Sequence, residues 1–324
     1  MRVVPFVACV SAVALMASAS SAFAQSNPQF GLAGIALEGV ILHRGDLGRT
    51  PLTTGAAPVR YHDLDPETAG GLRLKLDGWL FGQRTVYSVL GAWGFDGSLL
   101  NQGVAAGTNA AYVPSPNVDV TNSTDFDTLQ AKSQSYLFST DSAAYWFGGS
   151  PDRPGLNFIA GSRSIVIDER LKTAAFQNPI GSDTEIDRVK VDVANWATGL
   201  QIGVEGYTYV APGFKLGGFV KGGLLANFVD AETRFSSDNK PANTLTKSYD
   251  SIEFAQFVEV SGRVSYEISP NMEFTASAMM LYVNGIAEAG GQYSSVATNT
   301  ARHIDADSDA LYYGATLGLT YKFN

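Results

Sequence analysis

The segment from Leu311 to Phe323 alternates large apolar residues with small or polar ones, with a period of two. Successive side chains of a strand point to opposite faces, so this pattern predicts a β-strand with one wholly apolar face. The apolar face carries Leu311, Tyr313, Ala315, Leu317, Leu319, Tyr321 and Phe323. A strand with lipid on one face and a polar interior on the other is typical of a transmembrane β-barrel.

The same alternation recurs along the chain and predicts about ten antiparallel strands. We place the nine earlier ones at residues 30–42, 72–80, 85–95, 133–147, 156–169, 195–210, 214–229, 252–268 and 272–282. Short connections fall at 82–84, 148–155, 211–213 and 269–271, and long ones at 43–67, 97–132, 170–194, 230–247 and 285–308. Strict alternation of short and long connections favours an all-β barrel with short periplasmic turns and long extracellular loops.

The first 24 residues differ from the rest. Arg2 precedes an apolar run from Val3 to Met16, and Ala22-Phe23-Ala24 has the small-x-small form of a cleavage site. This pattern predicts a secretory signal peptide over 1–24 and one barrel domain over 25–324. The only cysteine, Cys9, lies within the predicted signal, so we expect no disulfide, thiolate nucleophile or cysteine metal site in the mature chain.

Composition agrees with a chain that presents much of its surface to lipid. Charged residues make up only 16% of the sequence, against about 25% in a typical soluble domain. The formal net charge is −9, which argues against a nucleic-acid partner, because phosphate binding requires a basic face. No cofactor motif is present, and we expect no cofactor.

The C-terminal strand resembles that of the outer-membrane β-barrel families of Gram-negative bacteria. In those families an aromatic residue closes the chain after alternating apolar positions, and Leu317, Leu319, Tyr321 and Phe323 match this spacing, with Asn324 following. The resemblance implies residence in the cell outer membrane, contact with its lipid, and recognition by periplasmic chaperones and the barrel-assembly machinery. A second segment, Gly161-Ser162-Arg163 with Ile167 to Leu171, is similar to a strand-to-loop passage in pore-forming outer-membrane proteins of the Legionella type.

Charged residues on the predicted polar faces form the first candidate site. We expect them to face the lumen as a charged network of Arg73, Lys75, Asp77, Arg163, Glu205, Lys215, Lys221, Glu253, Glu259 and Arg263. They can pair across the lumen as a rigid polar filling, or they can line a conducting path. Barrels of about eight strands are filled by side chains and those of 16 or more leave a channel, so any pore through ten strands should be narrow.

The second candidate is the acidic run of Asp305, Asp307 and Asp309, with His303 nearby. Alternate carboxylates can converge on calcium, but the sixth position of this run is Ala310, where a calcium-binding EF-hand loop has glycine. We therefore predict a solvated acidic loop and no metal site.

Three functions stay open at the level of sequence. The first is a structural or narrow-pore role for small solutes or ions, and the second is a surface adhesin or receptor whose long loops bind an extracellular ligand. The third is an omptin-like protease, because ten-stranded omptins place Asp and His residues at the extracellular rim. Here the corresponding residue types are His62, Asp63, Asp65, His303 and Asp305, all in predicted loops, as is His43. No catalytic motif joins them, so we expect no enzyme.

Overall fold

The computed structural model describes residues 30–45, 47–52, 59–81, 83–102, 128–146, 155–177, 184–237, 245–298 and 304–323. The predicted signal peptide, most of the predicted connection 97–132 and His303 lie outside this range. The strands are β1 (Phe30–Arg44), β2 (Ala69–Leu80), β3 (Gln83–Gln102), β4 (Thr128–Trp146), β5 (Gly155–Gln177), β6 (Thr184–Ala211), β7 (Phe214–Ser237), β8 (Leu245–Ser269), β9 (Met272–Ile286) and β10 (Ser308–Lys322). A short 3-10 helix (Tyr61–Leu64) lies between β1 and β2, and helix α1 (Ala289–Thr298) lies between β9 and β10.

The ten strands form one closed antiparallel barrel, which confirms the predicted fold class. Each strand pairs with its neighbour in sequence, and β1 pairs with β10 over eleven residues, from Gly34 opposite Lys322 to Arg44 opposite Tyr312. Closure leaves no open edge within the bilayer, where unpaired backbone groups would find no hydrogen-bond partner. The turn between β6 and β7 is tight, and Gly213 adopts a φ of 76°, a conformation that favours glycine.

Two of the predicted long loops are wrong. The expected loops 170–194 and 230–247 are mostly strand, because β5 continues to Gln177, β6 starts at Thr184, β7 continues to Ser237 and β8 starts at Leu245. The barrel wall is therefore tall where it consists of β3 to β8, whose strands have 19 to 28 residues, and low at β9, β10, β1 and β2, with 12 to 15.

The outer surface carries the apolar faces that the alternation predicted. Leu37, Leu72, Phe158, Leu200 and Phe254 are each more than half exposed on the outside of the barrel. Such a band of large apolar side chains would be unfavourable in water and suits contact with lipid. Among the described helices, neither is long and apolar enough to cross a membrane. The closed barrel with this outer band is an outer-membrane β-barrel of the Gram-negative type.

Candidate functional site

The periplasmic half of the lumen is a polar cavity of about 820 Å³, here called the vestibule. Inward-facing residues of all ten strands line it, from Glu38 on β1 to Lys322 at the end of β10. Gln83, Trp146 and Lys215, which lie beside short turns, also line it, so the vestibule opens toward the periplasm. Inward positions in the membrane must be polar or filled, and this part of the chain supplies charged side chains at them.

The structure brings nine of the ten predicted lumen charges to the vestibule: Arg73, Lys75, Asp77, Arg163, Glu205, Lys215, Lys221, Glu259 and Arg263. Glu253 does not line it. This residue lies on the upper part of β8, above Gln256, where pairing with β9 begins. The sequence interpretation placed Glu253 in the lumen network because alternation gives its face but not its height along the barrel axis.

Five further charged residues line the vestibule and were absent from the predicted network: Glu38, Arg84, Asp141, Glu273 and Lys322. All but Arg84 lie in predicted strands, where alternation with apolar neighbours marks their face. Arg84 was assigned to a turn, but β3 begins one residue earlier, at Gln83.

The floor of the vestibule is a dense set of ion pairs across the barrel. Arg163 on β5 contacts Glu259 on β8 and lies 3.6 Å from Asp141 on β4. Lys221 donates to Asp141 over 2.8 Å, and Arg73 lies 3.6 Å from Glu259. The charged groups of Arg163, Glu259 and Asp141 are at least nine-tenths buried, so the pairing has to offset the desolvation of every charge.

A second set of ion pairs surrounds the mouth. Lys215 lies 2.7 Å from Glu267 and 2.8 Å from Glu273, and Lys322 lies 3.3 Å from Glu273. Arg263 contacts Glu205, which also accepts a 2.7 Å hydrogen bond from the hydroxyl of Tyr145.

The vestibule has a positive balance in an acidic protein. Eight Lys or Arg residues and six Asp or Glu residues line it, a formal charge of +2, whereas the whole chain carries −9. With Glu267, which pairs with Lys215 at the mouth, the formal charge is +1, so the vestibule is positive although the chain as a whole is acidic.

Above the vestibule an apolar layer crosses the lumen. Large side chains in this layer include Leu90, Phe95, Leu137, Phe257, Leu281 and Tyr312, all with 2% exposure or less. Phe95 and Tyr312 meet edge to face, with ring centroids 5.3 Å apart. A water-wide passage would leave its lining exposed, so at this height the side chains fill the barrel.

The extracellular half of the barrel is filled by a plug, which consists of the described parts of the β1–β2 and β9–β10 connections. From the first connection, Leu52 and Tyr61 are buried, and from the second, Ala287 and Tyr293. They pack against inward apolar residues on the tall part of the wall, such as Val191 on β6. The Tyr293 hydroxyl donates to the Leu52 carbonyl over 3.2 Å, which joins the two connections.

Two asparagines of the wall bind the backbone where β9 passes into the plug: Asn195 binds Ala287 of the plug, and Asn227 binds Gly285 at the end of β9. Asn195 Nδ2 donates to the Ala287 carbonyl, and Asn195 Oδ1 accepts from the Ala287 N–H, both over 2.8 Å. Asn227 Nδ2 donates to the Gly285 carbonyl over 3.0 Å. These bonds satisfy backbone groups that the barrel buries away from water.

One arginine and two glutamates form a buried cluster between wall and plug, here called the Arg44 cluster. Arg44 on β1 contacts Glu169 on β5 and lies 3.2 Å from Glu288, just before α1. Glu288 Oε2 accepts from the N–H of Gly48, and Glu169 Oε2 accepts from the N–H of Ala289. The cluster therefore ties both plug connections to two strands of the wall.

The Arg44 cluster has more negative than positive groups. Burial, with repulsion from Glu169, raises the pKa of Glu288 to about 7 despite the attraction of Arg44. Three further oxygen groups face the cluster: the hydroxyls of Tyr61 and Tyr312, and the carboxylate of Asp309. One guanidinium thus pairs with two buried carboxylates, which leaves one excess negative charge. A proton shared by the two carboxyl groups neutralises it.

Each described residue that was considered for proteolysis has contacts of its own, and His303 lies outside the described residues. His62 Nε2 lies 3.1 Å from Asp63 Oδ1 in the 3-10 helix, and both side chains are more than a third exposed. His43 was predicted in a loop, but it belongs to β1, which extends past Leu42, and its ring packs against Tyr313 at 5.1 Å. Asp305, in the second connection, engages Gln292 of α1 through its backbone carbonyl.

Within the described ranges, no group of three or more His, Cys, Asp or Glu residues could hold a metal ion. Asp307 donates its backbone N–H to Asp305 Oδ1 over 3.2 Å, a local turn contact. The assembly-signal residues Leu317, Leu319, Tyr321 and Phe323 project outward and are 44–58% exposed. Recognition of these residues by an assembly machinery stays a prediction.

Comparison with known proteins finds barrel architecture and little sequence likeness. No family model matches the chain, and no curated protein matches it. The outer membrane protease OmpT of Escherichia coli is 14% identical, with 94% of this chain and 100% of that chain covered and a TM-score of 0.45. The translocator domain of the autotransporter NalP from Neisseria meningitidis is 11% identical, with 98% and 96% covered and a TM-score of 0.36.

The attachment invasion locus protein Ail of Yersinia pestis is 9% identical, with 90% and 99% covered and a TM-score of 0.21. At TM-scores below 0.5 these similarities carry no argument about what this chain does. The role of this chain has to be argued from its own lumen and surface.

Proposed function

We propose that the protein is a structural outer-membrane barrel whose lumen is closed at rest. The observation that carries the proposal is the apolar layer between the vestibule and the plug. Leu42, Phe95 and Tyr312 within it are completely buried. A hydrophobic constriction of this kind excludes water and so opposes the passage of ions.

Planar-bilayer recording of the refolded protein at neutral pH tests this proposal. We expect no discrete conductance steps from the natural chain, and their presence would overturn the closed lumen. The variant F95A/Y312A removes the two large rings of the layer and should conduct. A shift in gel mobility on boiling is the control that both proteins are folded. A folded double variant that stays silent would show that the plug closes the lumen without the layer.

The Arg44 cluster favours a second candidate, a narrow pore that conducts only when the plug moves. Its two carboxylates share one guanidinium, so the plug is held by a contact that depends on protonation. The positive balance of the vestibule would make such a pore select small anions. Conductance that appears only above about pH 7 and prefers chloride to potassium would support this candidate.

The resemblance to Legionella-type pore-forming proteins would favour the second candidate, but it rests on one short motif. The segment 161–171 lies wholly within β5, so the prediction that it marks a strand-to-loop passage was wrong. The strand continues because Leu171 faces inward against the plug and is fully buried.

The surface-binding and protease alternatives have separate tests. The loop predicted at 97–132 begins only after β3 ends at Gln102, so trimming residues 103–124, which lie outside the described residues, should abolish adhesion if this loop binds a partner. For the protease, cleavage of a peptide must disappear in H62A/H303A, because these residues supply the proposed base. Cleavage that survives this change would exclude the proposed site.

A further inference from the structure

The outer face of the tall wall carries four cations side by side, here called the cation row. Lys132 on β4 pairs in register with Lys172 on β5, Lys172 with Lys190 on β6, and Lys190 with Arg234 on β7. Residues directly opposite on neighbouring strands share a face, and strands lie about 4.8 Å apart. Four positive side chains therefore follow one another across four strands.

The cation row points away from the barrel. The neighbouring residues Ala131, Thr173 and Val191 are buried on the inner face. Lys132 and Lys172 are exposed, and the Arg234 side chain is 59% exposed. The row is thus open to whatever surrounds the barrel.

The four cations lie far enough along their strands to stand above the hydrocarbon layer of the membrane. Lys172, Lys190 and Arg234 lie six residues beyond the outward apolar residues Val166, Trp196 and Phe228, and Lys132 lies four residues beyond Tyr136. With about 3.3 Å per residue and a tilt near 40°, the cations stand roughly 10–15 Å above the apolar band. Phospholipid headgroups extend only about 5–8 Å beyond the hydrocarbon.

Carboxylates of the protein neutralise only part of the positive charge of the cation row. Lys190 pairs with Asp192, and Arg234 pairs with Glu232. Among the described residues, by contrast, no carboxylate lies within ion-pair distance of Lys132 or Lys172, although these two are directly opposite each other. Like charges in such a position repel, so an external anion would relieve the pair.

We propose that the cation row binds phosphate groups on the core sugars of the outer-leaflet glycolipid, lipopolysaccharide. Charge complementarity and height select this partner, because its phosphorylated core stands above the level that phospholipid phosphates reach. Ammonium and guanidinium groups donate charge-assisted hydrogen bonds to phosphate oxygens. This site is independent of whether the lumen conducts.

Binding of purified lipopolysaccharide with a phosphorylated core, measured on the full chain refolded in detergent, tests the proposal. We expect K132Q/K172Q to bind about tenfold more weakly or worse, because two of the row's charges are lost. K132R/K172R should bind within about twofold of the natural chain. Binding by the natural chain should weaken as salt rises.

Matched controls separate this site from general electrostatics. R49Q/R60Q removes two exposed cations from the β1–β2 connection and should change binding less than twofold. Dephosphorylated lipopolysaccharide and phosphatidylglycerol vesicles should compete poorly. Without glycolipid, K132Q/K172Q should melt at or above the temperature of the natural chain, because the opposed charges are gone.

Three results would each overturn the proposal. The first is unchanged glycolipid affinity in K132Q/K172Q, and the second is equal competition by phosphatidylglycerol vesicles. The third is a lower melting temperature of K132Q/K172Q without glycolipid, which would give the row a structural role.

Discussion

Arg44 donates from Nη2 to Glu288 Oε1 over 3.2 Å, and this contact joins the end of β1 to the residue before α1, 244 positions later. Because Glu169 contacts the same guanidinium, the wall already neutralises Arg44 before the plug is seated. Seating of the plug therefore brings a second carboxylate into a site with no spare positive charge.

This arrangement predicts that plug seating depends on pH. The pKa of Glu288 is about 7 when the plug is seated and near 4.5 when it is released, so protonation favours the seated state. Seating should be most favourable below about pH 4.5 and weaken up to about pH 7, by up to about 3 kcal/mol. Hydrogen exchange of residues 287–293 should accelerate over this window and then level off.

Glu288→Gln is the matched control for the pH effect. The glutamine amide has the shape of the glutamate carboxyl group and is neutral at every pH. Between pH 4.5 and 7, hydrogen exchange of residues 287–293 in the variant should therefore accelerate only as much as it does in a free peptide. A variant with the same pH response as the natural chain would assign the response to another group.

Gly290 and Gly291 of α1 provide a paired test of plug packing. A Cβ at Gly290 would lie 2.3 Å from Tyr61 Cδ1, whereas one at Gly291 would come no closer than 3.6 Å to Asp305. We expect Gly290→Ala to cost about 1–3 kcal/mol through overpacking. Gly291→Ala should be neutral or stabilising by up to about 1 kcal/mol, since alanine favours a helix. Urea unfolding, monitored by the protease resistance of the plug, measures both costs. Equal destabilisation by Gly290→Ala and Gly291→Ala would contradict the close contact between Gly290 and Tyr61.

The vestibule floor should show strong coupling between Arg163 and Glu259. Each single variant, R163Q or E259Q, leaves a buried charge without its main partner and should cost about 3–5 kcal/mol. The double variant should cost clearly less than the sum, because Arg73 keeps Glu38 and Asp141 keeps Lys221, so no buried charge is left without a partner. The free energy of unfolding in detergent gives the comparison, and additive costs would mean that the pair is not coupled.

Phe323 should affect assembly in the cell more than stability in the test tube. Its side chain is 44% exposed on the outer face, so Phe323→Ala removes little internal packing. We expect much less folded protein in the outer membrane, with a nearly unchanged unfolding curve after refolding. Leu37→Ala, at an outward position that is 56% exposed on β1, is the control and should assemble normally. Equal assembly of both variants would argue against a terminal signal.

The sequence by itself determined the ten strands and the face of their side chains within the bilayer. Alternation is a local property, because a strand reverses its side chains at every residue whatever its neighbours are. Lys221, Glu259 and Arg263 could be assigned to the lumen in this way, as could the outward positions of Leu317 and Leu319.

Only the tertiary structure decided the height of the wall and the filling of the lumen. Above the bilayer the pattern is inverted: Leu171 and Val191 point inward, while Lys172 and Lys190 point outward. Those segments had been assigned to loops because their outer face is not apolar. Their inner face is apolar because the plug connections, which come from both ends of the chain, cover it. Contacts between residues so far apart in sequence cannot be read from the two-residue alternation of a single strand.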